Sequence, residues 1–306
     1  MTMPDVSVRA ERIAPAAPAA APGAFARALR WRYWPLLPAA LLFLLVFVVP
    51  VGEVAIWSVR GEAGWGLSNV QQVVADGPFR TILGSTLRLS LTVGVACVAF
   101  GYPVAYFLTT RTPRQQRLLL LFITIPLWVS VLIRTYSWIV LLGREGLINS
   151  LVKAWGLSDT PLHLLYTRGA VYAAMIQVLL PIAILTMFSS MSSINRALLS
   201  AARILGATPG RAFLRVFLPL SASGAVSAGV LTFVLSLGFF ITPALVGGPK
   251  DAMIANVIAQ QISETLDWGL GSALGMTLLV VGLAVVAVTG VVMRRFTSLS
   301  SEGGTR

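Results

Sequence analysis

SAARILGATPGRAFLRVFLP, residues 200–219, is a basic, small-residue interruption between two strongly apolar runs. It holds Arg203, Arg211 and Arg215 together with Gly206 and two prolines, Pro209 and Pro219. Ala197, Ala201, Ala202 and Leu205 recur at helical spacing, with Arg196 and Arg203 around them. Gly206 stands where a helix C-terminus takes a left-handed residue. Thr208 then reads as the N-cap of a second helix whose first residue is Pro209. Pro219 ends that helix just before the next apolar run begins. The spacing therefore predicts a compact helix–Gly–helix knob. Its small residues would let a partner's backbone approach closely, although an ordinary inter-helical loop also contains Ala, Gly and Pro.

The chain around the knob is too apolar to be soluble. Of its 306 residues 57% are hydrophobic and 11% charged, with mean hydropathy +0.83, whereas soluble domains carry about a quarter charged residues. A bilayer is the natural solvent for such a chain. Six apolar runs are long enough to cross about 30 Å of hydrocarbon as helices: about 36–57, 82–108, 119–142, 171–191, 222–246 and 273–293. None shows the period-2 pattern of a barrel strand. Trp31, Tyr33, Trp34, Trp57 and Trp268 mark their ends as an interfacial belt. The fold class expected is all-α, a polytopic membrane protein with six transmembrane helices.

The positive residues orient it. With the N-terminus in the cytoplasm, the inside segments hold 15 of the 23 Lys and Arg residues. The outside loops hold Arg60, Arg80, Arg144, Lys153, Arg168 and Lys250, and Arg88 and Arg134 fall within spans. The positive-inside rule then places both termini in the cytoplasm. Residues 1–30 are rich in Ala and Pro without an apolar core, and read as a disordered cytoplasmic tail rather than a cleaved signal. The expected organisation is that tail, a transmembrane domain over 31–295, and a C-terminal tail over 296–306.

Several chemistries are disfavoured. The basic balance (pI about 11.1) clusters among apolar runs, which fits membrane topology rather than nucleic acid. A single cysteine, Cys97, excludes a disulfide framework and a cysteine-based metal site. Neither lysine follows a glycine, so no phosphate-cradling Gly-Lys-Ser/Thr loop exists. His163 has no second ligand or base near it in sequence. No carboxylate sits at mid-bilayer, where ion-coupled transporters keep theirs. The chain is expected to bind no cofactor or metal and to have no catalytic residue, so energy for transport would come from elsewhere.

Ser200-Ala201-Ala202, then Gly206 after three residues, then Val216, Phe217, Leu218 and Pro219, resembles the "EAA" loop of binding-protein-dependent ABC transporter permeases. Ser200 replaces the usual Glu. Residues 126–152 and 239–280, PLWVSVLIRTYSWIVLLGREGLINSLV and FFITPALVGGPKDAMIANVIAQQISETLDWGLGSALGMTLLV, are similar to permeases of the spermidine/putrescine type. The resemblance covers about nine-tenths of the chain. It implies a type I importer in the bacterial inner membrane, with a core at about 84–291. Ser200, Ala201, Ala202, Gly206, Val216, Leu218 and Pro219 would then couple to a cytoplasmic ATPase dimer, which uses the ATP and Mg. A second permease subunit and a periplasmic solute-binding protein are the other implied partners.

Within the spans, Arg134, Tyr136, Trp138, Phe239, Phe240 and Thr242 are candidate pathway or gate residues. Packing is the plainer role for the aromatics, and snorkelling or structural pairing for Arg134. Gly238, Pro243 and Gly247-Gly248-Pro249 interrupt the fifth run, as helices do where they line a cavity. Met253, Ile254, Val257, Ile258, Ile262 and Leu266 oppose Asn256, Gln260 and Glu264, predicting an outer amphipathic helix at the interface or packed on the bundle. A polyamine is the solute expected; an ABC permease for a different small solute, and an ion-coupled transporter or channel, stay open.

Overall fold

The computed structural model describes the backbone of residues 36–61, 64–75 and 77–302, and side chains as far as Met293. The expected N-terminal tail lies outside the described residues. The chain divides into two compact units after Glu53.

The first unit ends within helix α1 (Leu37–Ser58). This helix opens into a π turn at Leu44–Val48, where the Val49 N–H reaches back to the Leu44 carbonyl. Pro50 follows directly. A proline has no N–H and clashes with the carbonyl four residues back; widening the preceding turn relieves that clash.

After the last residues of α1 the second unit continues with a small hairpin, β1 (Arg60–Gly61) against β2 (Gly64–Trp65), and a short helix α2 (Ser68–Ala75). Its core is three spans packed together: α3 (Gly77–Thr109), α7 (Arg168–Ser192) and α9 (Pro209–Leu237). Val93, Cys97 and Leu108 of α3 interlock with Val171, Met175, Leu179 and Met187 of α7 and with Ala228 of α9. In lipid no hydrophobic force drives helices together, so close backbone approach must do it. Ser221, Gly224, Ala228 and Thr232, spaced three and four apart and all buried, give α9 a small-residue face. A Cβ on Gly94 would stand 3.1 Å from the Gly229 carbonyl, and one on Gly224 would collide with Cβ and Oγ of Ser190.

Two expected spans are not continuous. The third is α4 (Pro113–Thr124) with a 3₁₀ turn to Trp128, then α5 (Val131–Leu142) and α6 (Leu147–Ala154), bent by 91° at the break. Val129 and Ser130 are extended there, just after Pro126 has removed a donor. The fifth runs earlier than 222–246: α9 starts at Pro209 and stops at Leu237, and α10 (Ile241–Val246) follows a break over 238–240. Pro219 therefore lies inside a span instead of ahead of it. The same device accommodates it, a π turn at Phe213–Phe217 with the Leu218 N–H on the Phe213 carbonyl. Five helices among the described residues are long and apolar enough to cross a membrane, six if the bent pair is one span.

The last helix, α12 (Trp268–Glu302), continues beyond residue 295, where the sequence placed the end of the transmembrane domain. The amphipathic helix α11 (Ile254–Ser263) packs on the bundle: Ile254 and Val257 join Val73 of α2 and Leu270, Ala273 and Leu274 of α12. Its first N–H, at Ile254, donates to Thr86 Oγ1 of α3 at 2.9 Å.

Gly224→Ala tests the close packing of α7 on α9. The added methyl meets a rigid Ser190 Cβ, and overpacking of this kind costs about 1–3 kcal/mol. Unfolding in mixed micelles should show that loss, and Ser190→Gly in the same chain should restore most of it. A Gly224→Ala protein as stable as the parent contradicts the packing described.

Candidate functional site

Residues 197–219 fold as a short helix and the first turns of α9 around a glycine. Helix α8 (Ala197–Ile204) starts after Asn195, whose Oδ1 accepts from the Ala197 N–H at 2.9 Å. It ends in a paired set of reverse bonds, Gly206 N–H to the Arg203 carbonyl and Ala207 N–H to the Ala202 carbonyl, each 3.0 Å. Gly206 has φ +86°, a left-handed conformation that glycine adopts without Cβ strain. Thr208 then caps α9, its Oγ1 accepting from the Arg211 N–H at 3.4 Å, with Pro209 in the first turn.

One face of this knob is apolar and bare. Ile204 and Leu205 are 86% and 87% exposed at its tip. Ser200, Ala201, Gly206, Leu218 and Pro219 are exposed as well, and Ala202 and Val216 half-buried. Ser200 Oγ turns back to the Arg196 carbonyl at 3.5 Å. Sequence reasoning placed the small residues but not Ile204; two large aliphatic residues beside a glycine turn were the available signal.

The other face is anchored. Phe213 and Phe217 meet Tyr106 of α3 edge-on at 5.0 and 4.9 Å, and Phe213 meets Tyr102 at 6.3 Å. Such pairs add about 0.5–1.5 kcal/mol each beyond area burial. Tyr102 Oη and Ser221 Oγ share a hydrogen bond of 2.6 Å. The knob is thus clamped to α3 where α9 begins, just past the glycine turn that carries its free tip.

The candidate pathway residues are divided. Thr242, at the start of α10, is fully buried and shares a 3.1 Å hydrogen bond with Thr135 Oγ1 of α5. The pieces that follow the two breaks therefore pack on each other. Arg134 and Trp138 share a face of α5. Trp138 Nε1 donates to Gln177 Oε1 of α7 at 3.5 Å. Arg134 Nε and Nη1 are buried with no hydrogen-bond partner among the described residues. Phe239 packs against the three-span core, while Phe240 and Tyr136 are exposed, Tyr136 on the other side of α5 from Arg134 and Trp138. The break at 238–240 is held by a residue the sequence showed only as polar: Asn256 Nδ2 donates to the Phe240 carbonyl at 2.7 Å, and Asn256 Oδ1 caps the Met253 N–H at 3.0 Å.

Beyond α10, the Gly247-Gly248 pair lets two loops touch. A Cβ on Gly248 would stand 2.8 Å from the Tyr166 carbonyl, and one on Gly247 2.8 Å from Val171 Cγ2. The Tyr166 N–H bonds to the Val246 carbonyl, and Arg168 Nε to Asp251 Oδ1 at 2.8 Å. Partners 83 residues apart gave no local signal.

Residues 98–298 match the family profile described as binding-protein-dependent transport system inner membrane component. The chain is 33% identical over 215 residues to the spermidine/putrescine transport system permease protein PotB of Escherichia coli (strain K12), covering 70% of this chain and 78% of that one. The protein of the same name in Haemophilus influenzae is 32% identical over 210 residues, covering 68% and 73%. Among solved structures, one chain of a bacterial alginate ABC transporter, in complex with alginate pentasaccharide-bound periplasmic protein, superposes with TM-score 0.72 at 20% identity. It covers 89% of this chain and 96% of that one. That likeness concerns the fold.

The knob's turn depends on a left-handed residue at 206. Gly206→Val has open space but pays backbone strain of about 1–2 kcal/mol, whereas Gly206→Asn tolerates the conformation. Amide exchange at Ala207 should quicken roughly tenfold in the valine protein and stay near parental in the asparagine protein. Equal protection in both contradicts the turn described.

Proposed function

Because the chain belongs to the family of binding-protein-dependent transport system inner membrane components, we propose that it forms the translocation pathway for a polyamine and is driven through the knob at 197–219. As a permease subunit of an ABC importer it is a multi-pass inner membrane protein and not an enzyme; ATP is hydrolysed by a separate subunit. It works with an ATPase and a substrate-binding protein. Both termini in the cytoplasm is our reading, supported by the clustering of arginine in the segments that share that side.

The observation that carries the coupling reading is the bare Ile204–Leu205 tip on a clamped base. Exposed large aliphatics beyond the apolar spans are costly in water and favourable in a partner's cleft. Burying each fully contributes about 1.5–3 kcal/mol. The tip presses into the ATPase; Ser200, Ala201, Ala202 and Gly206 let the two backbones close; Val216, Leu218 and Pro219 carry the start of the span. Ser200, bonded to its own helix, leaves the partner without the carboxylate usual at this position.

The polyamine assignment is supported by the names of the relatives and not by a binding pocket. Carboxylates are nearly absent from the spans, and Arg134 repels a cation. The pathway is therefore a weak conduit beside the α5–α10 contact, with Arg134, Trp138 and Thr242 near it, and selectivity belongs to the binding protein.

The test is ATP-driven uptake of labelled spermidine by proteoliposomes holding the whole transporter. Leu205→Asp with Ile204→Asp should cut uptake at least tenfold and release the ATPase on purification, without changing the stability of the permease. Undiminished uptake with the ATPase retained would sink the coupling reading. Retained coupling with no spermidine or putrescine uptake would sink the substrate alone.

A further inference from the structure

At the end of α3 remote from the knob, four cations from three segments surround one cavity of about 370 Å³: Arg80 and Arg88 of α3, Arg168 of α7 and Lys250 ahead of α11. Its carboxylate is already engaged. Asp251 is 9% exposed, and it accepts from Arg168 Nε at 2.8 Å and from the Gly248 N–H at 3.2 Å. Among the described residues no ion pair or hydrogen bond engages the side chains of Arg80, Arg88 or Lys250. The lining carries a net charge of three positive units at neutral pH, four cations against one carboxylate. Helices α7 and α11 both begin at this cavity, with Arg168 and Met253, and their dipoles add to the positive potential.

Arg88 also borders a second hollow. An apolar groove of about 750 Å³ runs between α3, α9 and α12, with Leu91 and Val95 on one wall, Phe233 on another and the Gly94–Gly229 approach at its floor. From Leu87 to Ala99 it follows α3 for twelve residues, about 18 Å at 1.5 Å per residue. One leaflet's hydrocarbon is half of about 30 Å. A cationic pocket thus caps a greasy channel as deep as one leaflet, and a single arginine belongs to both.

We propose that this pair of hollows is a binding site for an anionic phospholipid, its phosphate among Arg80, Arg88 and Lys250 and one acyl chain along the groove. The shape and charge match an amphiphile with one negative head. A polyamine is repelled by the pocket. A zwitterionic lipid leaves its charge uncompensated, and a soluble oxyanion leaves the groove empty. Basic pockets between spans bind acidic lipid headgroups. The site rests on the chain spanning a bilayer and is independent of the coupling and substrate readings.

Native mass spectrometry of the detergent-extracted full chain tests it, with phosphatidylglycerol, phosphatidylethanolamine and inorganic phosphate as probes. One phosphatidylglycerol should be retained per chain, at least tenfold tighter than phosphatidylethanolamine. Arg88→Gln should weaken it about five- to tenfold, and Arg88→Lys should restore most of the loss. Val95→Trp, at a side chain 60% exposed, should fill the groove and weaken retention likewise. Equal retention of the two lipids overturns the proposal, as does Arg88→Gln without effect. Displacement by inorganic phosphate with Val95→Trp inert would assign the pocket to a soluble oxyanion instead. In the assembled transporter, a Val95→Cys cross-link to another subunit would show the groove to be a protein interface, which also overturns it. Lipid retention is read without transport, so loss of ATPase binding or of uptake leaves these outcomes distinct.

Discussion

A backbone polar group inside a bilayer needs a partner from the protein, because lipid offers none. The architecture of this chain follows from how it meets that demand at two broken spans. A continuous helix satisfies itself. The break at 129–130 and the break at 238–240 do not, and each frees carbonyls and N–H groups. At 129–130 the Val129 N–H turns back to the Pro126 carbonyl, and at 238–240 the Phe240 carbonyl accepts from the Ala244 N–H and from Asn256 of α11; the pieces that follow the two breaks then pack on each other, with Thr135 and Thr242 sharing a hydrogen bond. The outer helix α11 is therefore part of the break and not a separate decoration.

Around these breaks the rest can be plain. Three spans pack through small residues and methionines, without a buried charge pair. Pro50 and Pro219 each follow a π turn, while Pro103 and Pro181 sit inside α3 and α7 without one. Glycine is used where backbones must touch, at Gly94, Gly224 and the Gly247-Gly248 pair. The polar hydrogen bonds that cross between spans are few and short-reaching, such as Tyr102–Ser221. Each takes the place of a water that the membrane cannot supply.

The spans and the knob were legible because their signals are local. Length and apolarity place a helix, Gly206 followed by Thr208-Pro209 places a turn, and the order of Ser200, Ala201, Ala202 and Gly206 carries the family resemblance. The break in the third span was not legible. Pro126 weakens a helix but does not say that the chain turns there, and the packing that holds the following piece involves Thr242, more than a hundred residues later. Pro219 misled for the converse reason: proline reads as a stop, yet a wider turn lets the helix pass through it. Arg168–Asp251 and Asn256–Phe240 are tertiary pairings with no periodic trace. The amphipathic pattern marked Ile254, Val257 and Ile258 as the apolar face of α11, but Leu266 falls beyond its end and is exposed, and burial on α2 and α12 is tertiary.

The knob and the second break turn out to be the two ends of one element. Helix α9 begins at the Gly206 turn and ends at Leu237, immediately before Gly238. At 1.5 Å per residue, its 29 residues make a strut of about 43 Å. Its base is clamped to α3 by Tyr102, Tyr106, Phe213 and Phe217, so the tip cannot move without moving the strut or α3 with it. Its far end meets the non-helical backbone of 238–240, tethered by Asn256. Force applied to Leu205 would thus arrive where the helix is already broken and where a small change in φ and ψ is least costly. A loop joined to the spans by flexible chain would dissipate the same push. The continuity of α9 through Pro219, which sequence alone argued against, joins the knob and the second break by a single unbroken helix.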